Sequence, residues 1–174
     1  MNRPLPAEYA DYYEGYVDQV SESEIIQVLR SELDDLDVLL GRVPPEKETY
    51  AYADGKWTIR EVVGHLIDGE RVFGYRALCI ARSEKQNLPG FDQNEYLANA
   101  PYNGTELEDL LSEMRLVRLS NIAMFRTLDE AAWTRVGTAN GNEVTVRAIA
   151  FIMAGHARHH MNVLRERYLA GSMA

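Results

Sequence analysis

Hydrophobic positions in this chain recur with the period of an α-helix through most of its length and hardly anywhere with that of a strand. Ile25, Ile26, Leu29, Leu33, Leu36 and Leu40 make one apolar stripe. Ser21 and Glu24 have capping-box spacing ahead of it, and Gly41 with Pro44 and Pro45 stops it. A second stripe carries Ile59, Val62, Leu66, Val72 and Phe73. It opens at a Thr58/Glu61 capping box, with Trp57 and Val62 placed as a hydrophobic staple, and runs to about Arg82. The third follows a Thr105/Glu108 capping box and continues through Leu107, Leu110, Leu111, Met114, Val117, Met124 and Phe125 to about Leu128. The last starts near Thr145 and places Val146, Ile149, Ile152, Met153, His156, His160 and Val163 along one side, with Gly171 where a left-handed C-terminal cap is expected. Asn140–Gly141 is a tight-turn pair that predicts a small hairpin just before this helix.

Four long helices with no internal repeat predict an all-α fold, a four-helix bundle. Residues 1–174 read as one such domain, with 1–20 as an N-terminal arm whose Tyr9, Tyr12, Tyr13 and Tyr16 pack onto the bundle or cover a site. Between helices two and three, roughly Ser83 to Gly104, lies a long connection containing Phe91, Asp92 and Tyr96. Loops of that length are usually functional or disordered, and its aromatics predict order. A crossover of this kind brings helices two and three together in the same direction.

Composition narrows the function classes. A hydrophobic content of 46% is enough to close a core. The formal net charge is −9, with 18 basic residues scattered among 27 acidic ones. Nucleic-acid binding needs clustered Lys and Arg to release counterions, so the charge argues against it. The densest basic group, Arg158, Arg165 and Arg167, reads as a solvated helix face. No stretch approaches the roughly 20 apolar residues of a membrane span, and the N-terminus has no signal-peptide core. Cys79 is the lone cysteine, which rules out an internal disulfide and fits a reducing compartment. These readings predict a cytoplasmic protein with neither nucleic acid nor membrane as partner.

All four histidines fall in two short segments, WTIREVVGHLIDGE and GHARHH. His156 and His160 sit one helical turn apart on one side, roughly 6 Å between Cβ atoms, a spacing at which two imidazoles can chelate one ion. His65 shares the inner face of helix two with Val62, Leu66 and Val72, so three imidazoles from two inward faces can converge. Neutral imidazole is a strong ligand for zinc, nickel and iron, and three protein ligands leave positions open for water or substrate. Cys79 cannot close the site, since fourteen residues past His65 is about 21 Å along the axis. The competing reading is that each histidine is an ordinary hydrogen-bonded residue, but burying three imidazoles together is costly without a compensating ion. His159 lies about 60° from His156 and about 100° from His160, so it flanks the pair as a base or as a surface residue. Ala157 stands where a zincin motif places its glutamate base, which argues against a metalloprotease of that type.

The two histidine segments, the second extended as GHARHHMNVLRERYL, and the intervening YRALCIARSEKQNLPGFDQNEY resemble the DinB/YfiT-like superfamily of metal-dependent enzymes over about Pro6 to Leu169. The resemblance implies a four-helix bundle with an unusual connection order, often a homodimer. It also implies a divalent metal on His65, His156 and His160, with zinc or nickel first and iron or manganese next. Characterised relatives include thiol transferases and isomerases that use low-molecular-weight thiols. The implied function is therefore thiol-dependent transfer to a small-molecule substrate; a metal-dependent hydrolase or a non-catalytic metal- or small-molecule-binding bundle is the alternative. One departure matters: related thiol transferases often carry glutamine three residues after the last histidine ligand, where this chain has Val163.

Other side chains have candidate roles. Asp68, one turn after His65, can orient a ligand imidazole or be an exposed carboxylate. Asp92 and Tyr96 belong to a candidate lid that bears on turnover. Glu61 reads as the capping partner of Thr58, and Glu70, about 140° from His65, as the partner of a base elsewhere. Arg76 lies eleven residues past His65 on nearly the same face and needs an anion, for which Asp92 or a substrate carboxylate is available.

Overall fold

The computed structural model describes residues 2–170. Two short 3-10 turns lead into α1 (Glu14–Val17), followed by α2 (Ile25–Leu40), α3 (Ile59–Ala81), α4 (Gln93–Ala98), α5 (Leu107–Phe125) and α6 (Glu130–Trp133). A hairpin of β1 (Val136–Ala139) and β2 (Asn142–Thr145) then feeds α7 (Val146–Val163), which ends in a π turn at Leu164–Tyr168. Asn140 and Gly141 turn the hairpin with φ of 51° and 75°, the left-handed pair that the tight-turn signal predicts. Gly171, the expected C-terminal cap, lies outside the described residues.

The strongest start signals hold. Thr58 Oγ1 accepts from the Glu61 N–H at 3.1 Å, while the Thr58 N–H donates to Glu61 Oε2 at 2.8 Å. Thr145 Oγ1 accepts from the Ala148 N–H at 3.1 Å and starts α7. The other two capping boxes do not form, and tertiary partners explain why. Helix α5 begins at Leu107, two residues past Thr105, because the Glu48 carboxylate arrives from across the bundle and accepts the Leu107 N–H at 3.1 Å. Helix α2 begins at Ile25 with no side-chain cap, and Glu22 beside Ser21 is held instead by both Nη atoms of Arg158.

The four long helices form a closed ring in the order α2, α5, α3, α7. Arg60 meets Glu106, Arg71 meets Glu113 and Glu70 meets Asn121, so α3 and α5 run parallel. This is the direction that the long connection predicts. His65 facing His156, with the α3 start at Trp57 facing Tyr168, makes α3 and α7 antiparallel. The connection itself is ordered: Leu88 joins the hairpin edge through bonds to Thr138 and Asn140, and α4 sits within it. Among the described residues no helix is long and apolar enough to cross a membrane.

Two apolar cores result, one at each end of the bundle. The first gathers Val28, Leu29, Phe73, Phe125, Phe151 and their neighbours, and the second Leu36, Val63, Leu66, Met114 and Leu164. Between them lies a polar layer. Arg118, fully buried, reaches Glu32 at 3.0 Å and Glu70 at 2.8 Å, and Arg158 closes on Glu32 at 2.9 Å. The three candidate ligand histidines occupy this layer on the α3–α7 seam.

Candidate metal centre

His65 points from α3 toward α7, where the one-turn spacing of His156 and His160 presents two rings to it. A glycine makes the close approach possible: a Cβ at Gly69 would sit 3.1 Å from His156 Cε1. His65 Nε2 lies 2.9 Å from His156 Nε2, and one nitrogen of each ring lies within 4.8 Å of the others. All three residues are buried. An aromatic collar surrounds them. Trp57 stands 4.8 Å from the His65 ring, Phe73 5.8 Å from His156, and Tyr16 of α1 5.4 Å from His156 edge-on.

Burial decides the protonation of this cluster. It holds His65 down to about 4 and His160 down to about 3, with positive neighbours adding to the effect. His156 is pushed well below its ordinary value by burial first, then by the other histidines and the Arg118 guanidinium. The rings are therefore neutral at physiological pH, the form that ligates a metal. Among the described residues no carboxylate is hydrogen-bonded or ion-paired to any of the three. Three neutral nitrogen donors at this spacing fit one borderline divalent ion, for which metal–nitrogen bonds of about 2.0–2.1 Å are usual.

A cavity of about 250 Å³ opens on His65 and His156, with Tyr16, Phe73, Arg76 and Phe91 in its walls. A second recess, about 330 Å³, reaches His160 and His159 from the side of Trp57.

The remaining sequence candidates divide. His159 is half-buried beside the cluster, its ring 5.0 Å from His160 and 5.4 Å from Tyr16. Asp68 turns away from His65: its carboxylate accepts from the Tyr102 hydroxyl at 2.8 Å, and burial raises its pKa. Asp92 is not the partner of Arg76. It caps α4 instead, accepting the Asn94 and Glu95 N–H groups, because a short helix starting at residue 93 needs an acceptor there. Tyr96 is exposed and packs on Phe91 at 5.1 Å, touching the cavity wall from outside. Glu70 pairs with Arg118, as its position on the helix predicts, and Glu61 caps with Thr58.

Three contributors escape a reading by spacing. Trp57 fits the staple pattern but also lies against His65; Tyr16 sits in an arm with no periodic pattern; and Arg118 looks like a surface base until its two acidic partners are known. Gly155 carried a usable signal. A glycine in mid-helix marks a close approach, and here a Cβ would meet the Tyr16 backbone oxygen at 1.9 Å.

The family model of the DinB superfamily matches residues 29–164. A protein of Oceanobacillus iheyensis named for an inferred metal-dependent hydrolase activity is 25% identical over 118 residues, covering 67% of this chain and 67% of that one. Among solved structures, YfiT from Bacillus subtilis, described as a probable metal-dependent hydrolase with an unusual four-helix bundle topology, superposes with a TM-score of 0.74 at 19% identity. That match covers 95% of this chain and 92% of YfiT. A mycothiol-dependent maleylpyruvate isomerase gives 0.69 at 15% identity, covering 91% of this chain and 64% of the isomerase. The colibactin self-resistance protein ClbS, in complex with double-stranded DNA, gives 0.68 at 18% identity over 89% of this chain and all of ClbS. At these identities the structural likenesses show the fold.

Proposed function

This chain belongs to the DinB superfamily, and from that premise we propose that it is a divalent-metal-dependent enzyme that activates a thiol for transfer to a small-molecule substrate. The observation that carries the reading is the convergence of three neutral, buried imidazoles, two of them on the wall of a cavity whose lining brings no carboxylate to them. His65, His156 and His160 would hold the ion, with zinc or nickel the first choices for an all-nitrogen donor set. A bound divalent ion supplies positive charge that lowers the pKa of a thiol or water beside it.

The chain's own residues do the rest. Burial keeps the imidazoles from competing protons, and the close packing of Gly69, Trp57, Phe73 and Tyr16 against the rings holds their orientations. A thiol, with an ordinary pKa near 8.5, needs little further help to ionise. Water needs more, and no carboxylate among the described residues is positioned to take its proton. That difference favours the thiol.

Hydrolysis is the second reading. The name of the Oceanobacillus relative favours it, as does His159, a ring beside His160 that opens to the second recess and would serve as the base. Either reading takes a small molecule as the partner, and a net charge of −9 disfavours binding to a phosphate backbone. The DNA contact of ClbS is a property of that protein.

The test is spectroscopic. Low-molecular-weight thiols should perturb the visible spectrum of the cobalt-loaded protein through sulfur ligation, and thiol-dependent turnover should follow. No spectral change with any thiol, together with thiol-independent ester cleavage that is lost in His159→Ala, would move hydrolysis ahead.

A further inference from the structure

Among the described residues, Arg76 is the only charged side chain on the wall of the cavity that opens on His65 and His156, and it has almost no partners. It is 4% exposed, yet a single neutral acceptor engages it, the Pro89 carbonyl oxygen at 2.7 Å from Nη2. Its Nε is buried with no hydrogen-bond partner at all. The Phe73 ring lies 6.0 Å from the guanidinium carbon, at the outer limit of a cation–π contact. A guanidinium so placed is costly unless an anion meets it, and among the described residues no carboxylate does. Anchoring Pro89 needs a hydrogen-bond donor and no charge, so the charge has no structural use.

Its position gives it one. Phe73 neighbours both Arg76 and His156: its ring centroid lies 6.0 Å from the guanidinium carbon and 5.8 Å from the imidazole. A ligand lying along Phe73 would present one end to the histidines and the other to the guanidinium. The walls between are aromatic, with Tyr13, Tyr16 and Phe91. A planar fork with free N–H groups matches a carboxylate in two-point fashion, and one cation without a second beside it suits a monoanion better than a phosphate dianion.

We propose that Arg76 anchors the carboxylate of an organic monocarboxylate substrate whose other end reaches the three-histidine cluster. The inference deepens the function proposed above and rests on taking this cavity as the substrate site.

Calorimetry on the metal-free protein tests it with 3-phenylpropionate against its neutral isostere 3-phenylpropanamide. The acid should bind at least about ten-fold more tightly than the amide, the scale of a charge-assisted pair. Arg76→Gln should abolish that preference, and Arg76→Lys should retain part of it. In the wild-type protein the Arg76 Nε–H resonance should shift with the acid and not with the amide, a readout that stands even if a variant fails to fold. Equal binding of acid and amide, no binding of the acid at millimolar concentration, a preference surviving in Arg76→Gln, or tighter binding of phenyl phosphate would each overturn the proposal. Cobalt uptake measured in parallel separates the two claims. A protein that selects the carboxylate but takes up no metal fails the metal reading alone; one that binds cobalt through the histidines and ignores the carboxylate fails this inference alone.

Discussion

At the scale of single residues, the site depends on imidazoles that are hard to protonate. His65 and His160 titrate at about 4 and about 3 in the folded protein, against an unfolded value near 6.5, and His156 is lowered as well. The unfolded chain therefore binds more protons between these values. The stability linked to the neutral rings is whole above about pH 6.5 and is lost as the pH falls toward 4 and 3. Glu32 opposes this, because burial lifts its carboxyl to about 7 and acidification then favours the folded state. A comparison that keeps Glu32 isolates the histidines. Metal-free wild-type protein should lose up to about 4 kcal/mol relative to a His65→Gln/His156→Gln/His160→Gln variant between about pH 7.5 and 5.5 in urea denaturation. Parallel pH profiles for the two proteins would mean that the rings are not buried neutral. The histidines were legible in the sequence because one-turn spacing and an apolar stripe are local patterns. Arg76 was legible as an inward arginine in want of an anion, but Arg118 and the Trp57 contact with His65 were not, since their meaning depends on partners 86 and 8 residues of chain away.

At the scale of elements, one of three predicted capping boxes forms, and at the two that fail a distant side chain engages the residues around the helix start. Glu48 on the Leu107 N–H is the clearest case. Local propensity sets where a helix can begin, and tertiary contacts choose among the allowed residues. The N-terminal arm shows the same rule. No periodicity announces α1, yet it packs so closely on α7 that the Gly155 position touches the Tyr16 backbone. Gly155→Ala should displace α1, withdraw Tyr16 from His156 and cost about 1–3 kcal/mol, the scale of overpacking a tight contact. Gly15→Ala, with nothing within 4 Å of the added methyl, is the control and should be neutral or slightly stabilising. Denaturation midpoints and limited proteolysis of residues 2–20 read both effects. Equal stability of the two variants would show that the arm is not pinned at Gly155.

At the scale of the whole molecule, the parallel α3–α5 pair is what the long connection makes possible, and its presence could be argued from loop length alone. The ring order α2, α5, α3, α7 could not, because four amphipathic stripes are compatible with several closed orders. Nor was the polar layer legible as a layer, although each of its members was visible. It divides the apolar interior in two and gathers Glu32, Glu70, Arg118 and the three histidines between the cores, with the cavity opening on two of the histidines. Such an arrangement is explained if an ion completes it. Elemental analysis of untagged protein is the most direct test. About one divalent metal per chain should copurify or be taken up, His156→Ala should sharply reduce it, and the His65→Ala/His156→Ala/His160→Ala variant should hold none. Undiminished metal in a folded triple variant would contradict the account.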